Sequence, residues 1–216
     1  FAVGAGISHD YFEAEINGSN KRYNRFLNPY IFLKSDTQND RNFPTKGFYL
    51  NAEGKVVDLL KSDVEKRLIQ VKADIRINIP LSKKFSYHLN LYGGITIGEN
   101  LPKFYQYRLG GIFEQNVVNF KTFNGFYFAQ LNSNNVALIS NDIQFKFNKN
   151  FFLSGNFSFA NLSDDISFED AVKVNYSSFG ASLGYKSPFG QIKLNFSHSL
   201  KNNQKGIFSV ILGHWF

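Results

Sequence analysis

The stretch Ile69–Ile79, "IQVKADIRINI", alternates without a break. Ile69, Val71, Ala73, Ile75, Ile77 and Ile79 fall on one side of an extended chain, and Gln70, Lys72, Asp74, Arg76 and Asn78 on the other. Successive side chains of a strand point to opposite faces, so the pattern predicts a strand with one apolar and one strongly polar face. The next segment repeats it. Phe85, Tyr87, Leu89, Leu91, Ile95 and Ile97 alternate with Ser86, His88, Asn90, Tyr92, Thr96 and Gly98. Later runs agree: Phe151, Leu153, Phe157 and Phe159; Ile192, Leu194 and Phe196; Phe208, Val210 and Leu212.

Turn signals separate these runs, among them "TQNDRNFPTKG", "IPLSKK", "KFNKN", "YKSPFG" and "SLKNNQKG". The spacing predicts eleven or twelve strands, over about 1–9, 10–17, 25–37, 46–58, 67–80, 84–98, 124–131, 135–148, 150–161, 174–187, 190–200 and 205–216. Most reach the ~9–11 residues of a tilted membrane strand, more than the ~5–6 usual in a soluble sheet. A large apolar face opposite a charged, amide-rich face fits a barrel in lipid around a wet lumen. The expected fold is all-β: an antiparallel transmembrane outer-membrane β-barrel, one domain over 1–216.

Composition agrees. The 216 residues include 25 Phe and 11 Tyr but one Trp, and the mean hydropathy is −0.25. Aromatic residues favour strands and collect in the girdles of membrane barrels. No run approaches the ~20 apolar residues of a membrane helix. Without Cys there is no disulfide, thiolate metal site or cysteine nucleophile. The absence of Met points to a processed protein or a fragment. The net charge of +7 is scattered, with no dense basic run, so no nucleic-acid partner is expected.

Two insertions interrupt the meander. In the first, about 99–123, Phe104, Tyr105, Tyr107, Phe113, Phe120 and Phe123 need something to pack on, so it is expected to fold back and plug or constrict the lumen. The second, Asn161–Asn175, has room for a helical turn, and its acids Asp164, Asp165, Glu169 and Asp170 read as a solvated loop.

No motif carries chemistry. Gly180–Gly184, "GASLG", matches G-x-S-x-G, but a nucleophile elbow needs a strand, a sharp turn and a helix. Here Ser182 sits inside a continuing alternation, among small residues that leave room in the lumen. His9, His88, His198 and His214 lie on separate predicted strands, so no metal site is expected. Glu13 and Glu15 share a strand face without catalytic context. Gly110-Gly111 lacks the rest of a phosphate loop. The expectation is no enzyme activity and no cofactor.

The last hairpin, Ser187–Phe216, resembles the final two strands of the outer-membrane assembly-factor (surface antigen) superfamily. That superfamily includes the barrel-assembly insertase, two-partner secretion transporters and the barrels of patatin-like phospholipases. Asp36–Val56 resembles its D-x-R-x-x-x-P-x-x-G hairpin. Tyr107–Phe126, with Arg108, Gly110 and Gly111, resembles the approach to its inward-folded sixth loop. Where most members have Arg-Gly-Phe/Tyr at the tip, this chain has Asn124-Gly125-Phe126. A function that depends on that arginine is therefore not implied. The Phe/Asn-rich style looks most like the C-terminal barrel of Bacteroidota patatin-like phospholipases.

The resemblance implies a place in the bacterial outer membrane, as the C-terminal part of a larger protein with a sixteen-stranded barrel; the alternative is a complete twelve-stranded barrel. Phe208, Val210, Leu212, His214 and Phe216 would form the terminal signal read by the barrel-assembly machinery. Expected partners are outer-membrane lipid and lipopolysaccharide, that machinery during biogenesis, and a homodimer or larger membrane complex. The barrel would anchor or display an attached lipase domain. Alternatives are a barrel-assembly or secretion factor, and a small independent pore.

Overall fold

A computed structural model describes residues 1–16, 20–57, 68–98, 101–113, 117–165, 173–201 and 205–213; for 13–16 and 20–24 it describes the backbone. Five strands come first: β1 (Ala2–Ile16), β2 (Asn20–Asp36), β3 (Gly47–Val57), β4 (Leu68–Pro80) and β5 (Phe85–Ile97). An insertion follows, with a 3-10 turn (Lys103–Tyr105) and the short strands β6 (Tyr107–Leu109), β7 (Phe120–Lys121) and β8 (Leu131–Ser133). Five more strands complete the wall: β9 (Asn135–Lys146), β10 (Phe151–Ser163), β11 (Tyr176–Ser187), β12 (Gly190–Ser199) and β13 (Ile207–Gly213).

The ten long strands form one sheet in chain order, broken only where β5 pairs directly with β9 across the insertion. Every pairing in it is antiparallel. In the separate three-stranded sheet, β6 lies parallel to β7 and antiparallel to β8. Among the described residues no pairing joins β1 to β13.

Burial is inverted relative to a soluble sheet. On β4, Ile69, Val71 and Ile79 are each 44% exposed, while Gln70, Asp74 and Asn78 are 2%, 9% and 6% exposed. The apolar row faces outward and the polar row faces a filled interior, which is the arrangement of a barrel in lipid. Near the ends of several strands aromatic rings cluster: Phe85 against Phe145, Phe145 against Phe147, and Phe151 against Tyr185. The 81–84, 147–150 and 188–189 connections at this end are short, whereas the insertion and the 164–175 connection leave from the other. Short turns mark the periplasmic side of such barrels.

The sheet curls. The β2–β3 connection reaches strands far along the sheet order: Gln144 of β9 donates to the Pro44 carbonyl at 3.1 Å, and Phe43 stacks on Phe152 of β10 at 4.3 Å. Only a concave wall brings these elements together.

Two segments differ from the spacing argument. β1 runs unbroken through Ala2–Ile16, so the expected break near residue 10 is absent. Ser8 and Asp10 are lumen-side positions of one strand, and polar residues there look like a turn in sequence. The strand expected over 124–131 is mostly a looped tip, with β8 confined to Leu131–Ser133. The insertion thus extends to residue 134, beyond the expected 123.

Candidate functional site: the occupied lumen

The insertion enters the concave side of the wall and is held there side chain by side chain. Tyr105 is wholly buried. Its hydroxyl donates to the Asp10 carboxylate at 2.6 Å and accepts from Asn28 Nδ2 at 2.7 Å. Phe104 stacks on Phe12 at 4.0 Å, Phe26 meets the Tyr105 ring edge-on, and Lys55 Nζ lies 4.9 Å from that ring's centre. Burial, reinforced by the Asp10 carboxylate, pushes the Tyr105 phenol well above its ordinary range. The group therefore stays a neutral donor to Asp10.

The second attachment is to β4. Asn119 Nδ2 donates to the Tyr105 carbonyl and to Gln70 Oε1, at 2.7 and 3.0 Å. Gln70 Nε2 donates to that same carbonyl. Lys121 Nζ pairs with Asp74 at 2.9 Å, and Arg76 holds the same carboxylate at 2.8 Å. Tyr107 is wholly buried, and its hydroxyl donates to the carbonyls of Val71 and Ile95. It fits because residue 94 is glycine: a Cβ there would lie 2.3 Å from the Tyr107 ring.

The tip completes the attachment. Gly110 has φ +137 and faces the Tyr127 carbonyl so closely that a Cβ would lie 2.0 Å from its oxygen. Gly111 N–H donates to the Phe126 carbonyl, and Phe123 N–H to the Gly111 carbonyl. Gly125, at φ +82, packs against the backbone of His198 and Ser199 on β12. Phe126 stacks on Phe123 and meets Tyr176 edge-on. Asn124, at the tip, donates to Asn156 Oδ1 at 2.8 Å. Arg108 turns back on its own loop, donating to the Lys103 carbonyl at 3.2 Å.

From the periplasmic end the β2–β3 loop enters as well. Asp40 accepts from the N–H groups of Asn42 and Phe43 and binds Lys186 of β11. Phe43 lies over Gly184, where a Cβ would meet its ring at 2.4 Å. Burial disfavours the Asp40 carboxylate, but Lys186 and the two N–H donors outweigh it and hold its pKa below the ordinary value.

"GASLG" is thereby explained. Gly184 makes room for Phe43, a Cβ on Gly180 would lie 3.4 Å from Asn124 Nδ2, and the Ser182 hydroxyl bonds that of Ser154 at 2.7 Å. β11 continues straight through Ser182, with no elbow. His88 faces inward beside Ser86 at 3.0 Å, and His198 sits on the outer face beside Phe179. His9 is also on the outer face. The side chains of Glu13 and Glu15, and all of His214 and Phe216, lie outside the described residues. Phe208, Val210 and Leu212 point outward, opposite Phe196, Leu194 and Ile192.

Asp164 lies in an exposed loop, as expected, and also accepts from the Ser133 hydroxyl at 2.9 Å and the Asn134 N–H at 3.0 Å, tying the second insertion to the first. Glu169, Asp170 and the expected helical turn lie outside the described residues. Sequence reading named the aromatic residues of the insertion but missed Lys121, Asn119 and their partners Asp74 and Gln70. Lumen-facing charges at period two were the available signal, without saying which loop residue they meet.

The whole sequence, residues 1–216, matches the family model of the OMP85 superfamily. Among solved structures, the crystal structure of BamA from Haemophilus ducreyi lacking POTRA domains 1–3 is similar in fold. The TM-score is 0.67 at 19% identity, over 96% of this chain and 49% of that one. The chain spans about half the length of that protein. No curated protein matches the sequence.

Proposed function

The chain belongs to the OMP85 superfamily, and from that premise we propose that this outer-membrane barrel anchors an attached domain, a patatin-like lipase, and opens no passage of its own. The carrying observation is the occupied lumen: Lys121 on Asp74 of β4 and Tyr105 on Asp10 of β1 hold the insertion against the wall. A passage for polypeptide would require those buried pairs to break, and removing one partner of such a pair costs about 3–5 kcal/mol. Asn124 at the tip supports the same reading, because its contact to Asn156 is between two amides where the superfamily resembled in sequence has an arginine. The outward rows then contact lipid and lipopolysaccharide. Phe208, Val210 and Leu212, with His214 and Phe216, serve as the signal for the assembly machinery. Among the described residues β1 and β13 are the edges of the sheet, and in lipid such edges need strand partners.

The test is the native polypeptide in purified outer membranes. Its intact mass should exceed the 24.7 kDa of this chain several-fold, and deleting the barrel should release lipase activity from the membrane undiminished. A native mass of 24.7 kDa, or no lipase activity, defeats the anchor reading.

A second reading, an assembly or secretion factor, is supported by the fold shared with BamA. Depletion of the native protein would then lower the levels of other outer-membrane proteins, which an anchor would leave unchanged.

A further inference from the structure

The positive charge of the chain is gathered at its periplasmic end. Seven of the 24 Lys and Arg lie in or within two residues of the 37–46, 81–84, 147–150 and 188–189 connections, with two of the 17 acids, Asp36 and Asp40. The rest of the chain carries seventeen cations against fifteen acids. Most of the net charge of +7 therefore belongs to one rim. Part of it is neutralised there, since Lys186 is bound to Asp40.

Two neighbouring turns hold cations and no acid. The 81–84 turn carries Lys83 and Lys84, and the 147–150 turn carries Lys149; all three are exposed. The turns are adjacent because β5 pairs with β9, and the Lys146 N–H donates to the Lys84 carbonyl at 2.8 Å. Both turns are fixed from within. The Ser82 hydroxyl accepts from the N–H groups of Lys84 and Phe85, and Asn148 Oδ1 from those of Asn150 and Phe151. Beside the lysines the outer face is aromatic: Phe85, Phe145 and Phe147 touch in series, with Phe85, Phe147 and Leu81 exposed. Rings at headgroup level with lysines next to them form a surface that suits an anionic bilayer face. Clustered like charges repel, and an anionic layer alongside relieves that repulsion.

We propose that the 81–84 and 147–150 turns form a docking surface for anionic phospholipid of the inner leaflet. Lys83, Lys84 and Lys149 meet the headgroup phosphate as point charges, and the Phe85–Phe145–Phe147 cluster meets the acyl chains below it. Such contacts fix the depth at which this rim sits in the membrane. The inference rests on the membrane placement of the barrel and not on the anchor reading, and either can fail without the other.

Electron spin resonance of the native full-length protein, reconstituted in phosphatidylcholine vesicles, tests it. Spin-labelled phosphatidylglycerol and spin-labelled phosphatidylcholine are compared for the fraction immobilised at the protein surface. The anionic probe should associate about threefold or more in preference, and the preference should shrink as salt is raised. The triple variant Lys83→Gln, Lys84→Gln, Lys149→Gln should bring the two probes close to parity. Its three positions are exposed turn residues, so the variant is expected to assemble. Lys201→Gln, on a connection at the opposite end, should leave the preference intact. A wild-type protein indifferent to lipid charge overturns the proposal, and is the outcome expected if these lysines meet an acidic protein surface instead. An undiminished preference in the triple variant, or one lost equally in Lys201→Gln, overturns the assignment to these turns.

Discussion

Lys121 and Asp74 lie 2.9 Å apart inside the lumen, with Arg76 on the same carboxylate. Lys121→Met removes one of two cations from a buried acid. The expected loss is about 1–3 kcal/mol, below the 3–5 kcal/mol of a fully orphaned charge because Arg76 remains. Thermal melting in detergent reads the loss, and protease nicking of the insertion should accelerate in parallel; an unchanged melting temperature with unchanged nicking contradicts the attachment. Asp40 sets a pH dependence at the periplasmic end. Its folded-state pKa is depressed, so its contribution is full above the ordinary Asp range of about 3.9 and is lost as the pH falls through the lowered value. Proteolysis of the 37–46 loop with an acid-tolerant protease should therefore rise on acidification below about pH 4. Asp40→Asn should be cleaved faster at neutral pH and lose that acid dependence; a wild-type loop indifferent to pH would remove the argument.

At the scale of the element, β4 carries the strongest claim about surroundings. Ile75 belongs to its outward row, whereas Asp74 and Asn78 belong to the inward one. Ile75→Arg places a charge in lipid and should cost ~2–4 kcal/mol near the bilayer midplane. Urea titration of the protein folded into vesicles measures this, and a stability within error of wild type would argue against a lipid-facing row. The same period-two pattern that exposed β4 in the sequence misled at β1 and at 124–131. In β1, Ser8 and Asp10 look like a turn but are lumen-side positions. At 124–131 the aromatic residues mimic a strand but sit in a looped tip, where Phe126 packs against Phe123 and Tyr176 while Tyr127 and Phe128 are exposed. A short aromatic stretch does not signal whether its neighbour will be lipid or another loop.

For the whole molecule, the filled lumen has an electrical consequence. In a planar bilayer the native protein should show little steady conductance, whereas deleting residues 101–133 should produce stable open channels. Equal conductance in both would mean that the insertion does not obstruct the barrel, and the independent-pore reading would regain its ground. The candidate site was half legible. Tyr105, Phe123, Gly110, Gly125 and the D-x-R hairpin were all marked in the sequence. Their partners Asp10, Asn28, Gln70, Asp74 and Gly94 were not, because each lies on a strand whose polar face offers several equivalent positions.

Strand class, the orientation of each face and membrane placement follow from the sequence alone. Period-two alternation over ten or more residues leaves one row that only lipid can cover and another that only water or polar side chains can satisfy. That constraint is local and is written into every strand. The path of the insertion and the balance of charge inside the lumen belong to the tertiary structure. They depend on sheet curvature and register, which bring Asp10, Asp74 and Gly184 from distant strands to the loop residues Tyr105, Lys121 and Phe43. A one-residue slip in any pairing would reverse a strand's faces and dissolve those contacts. They exist only once the wall has formed.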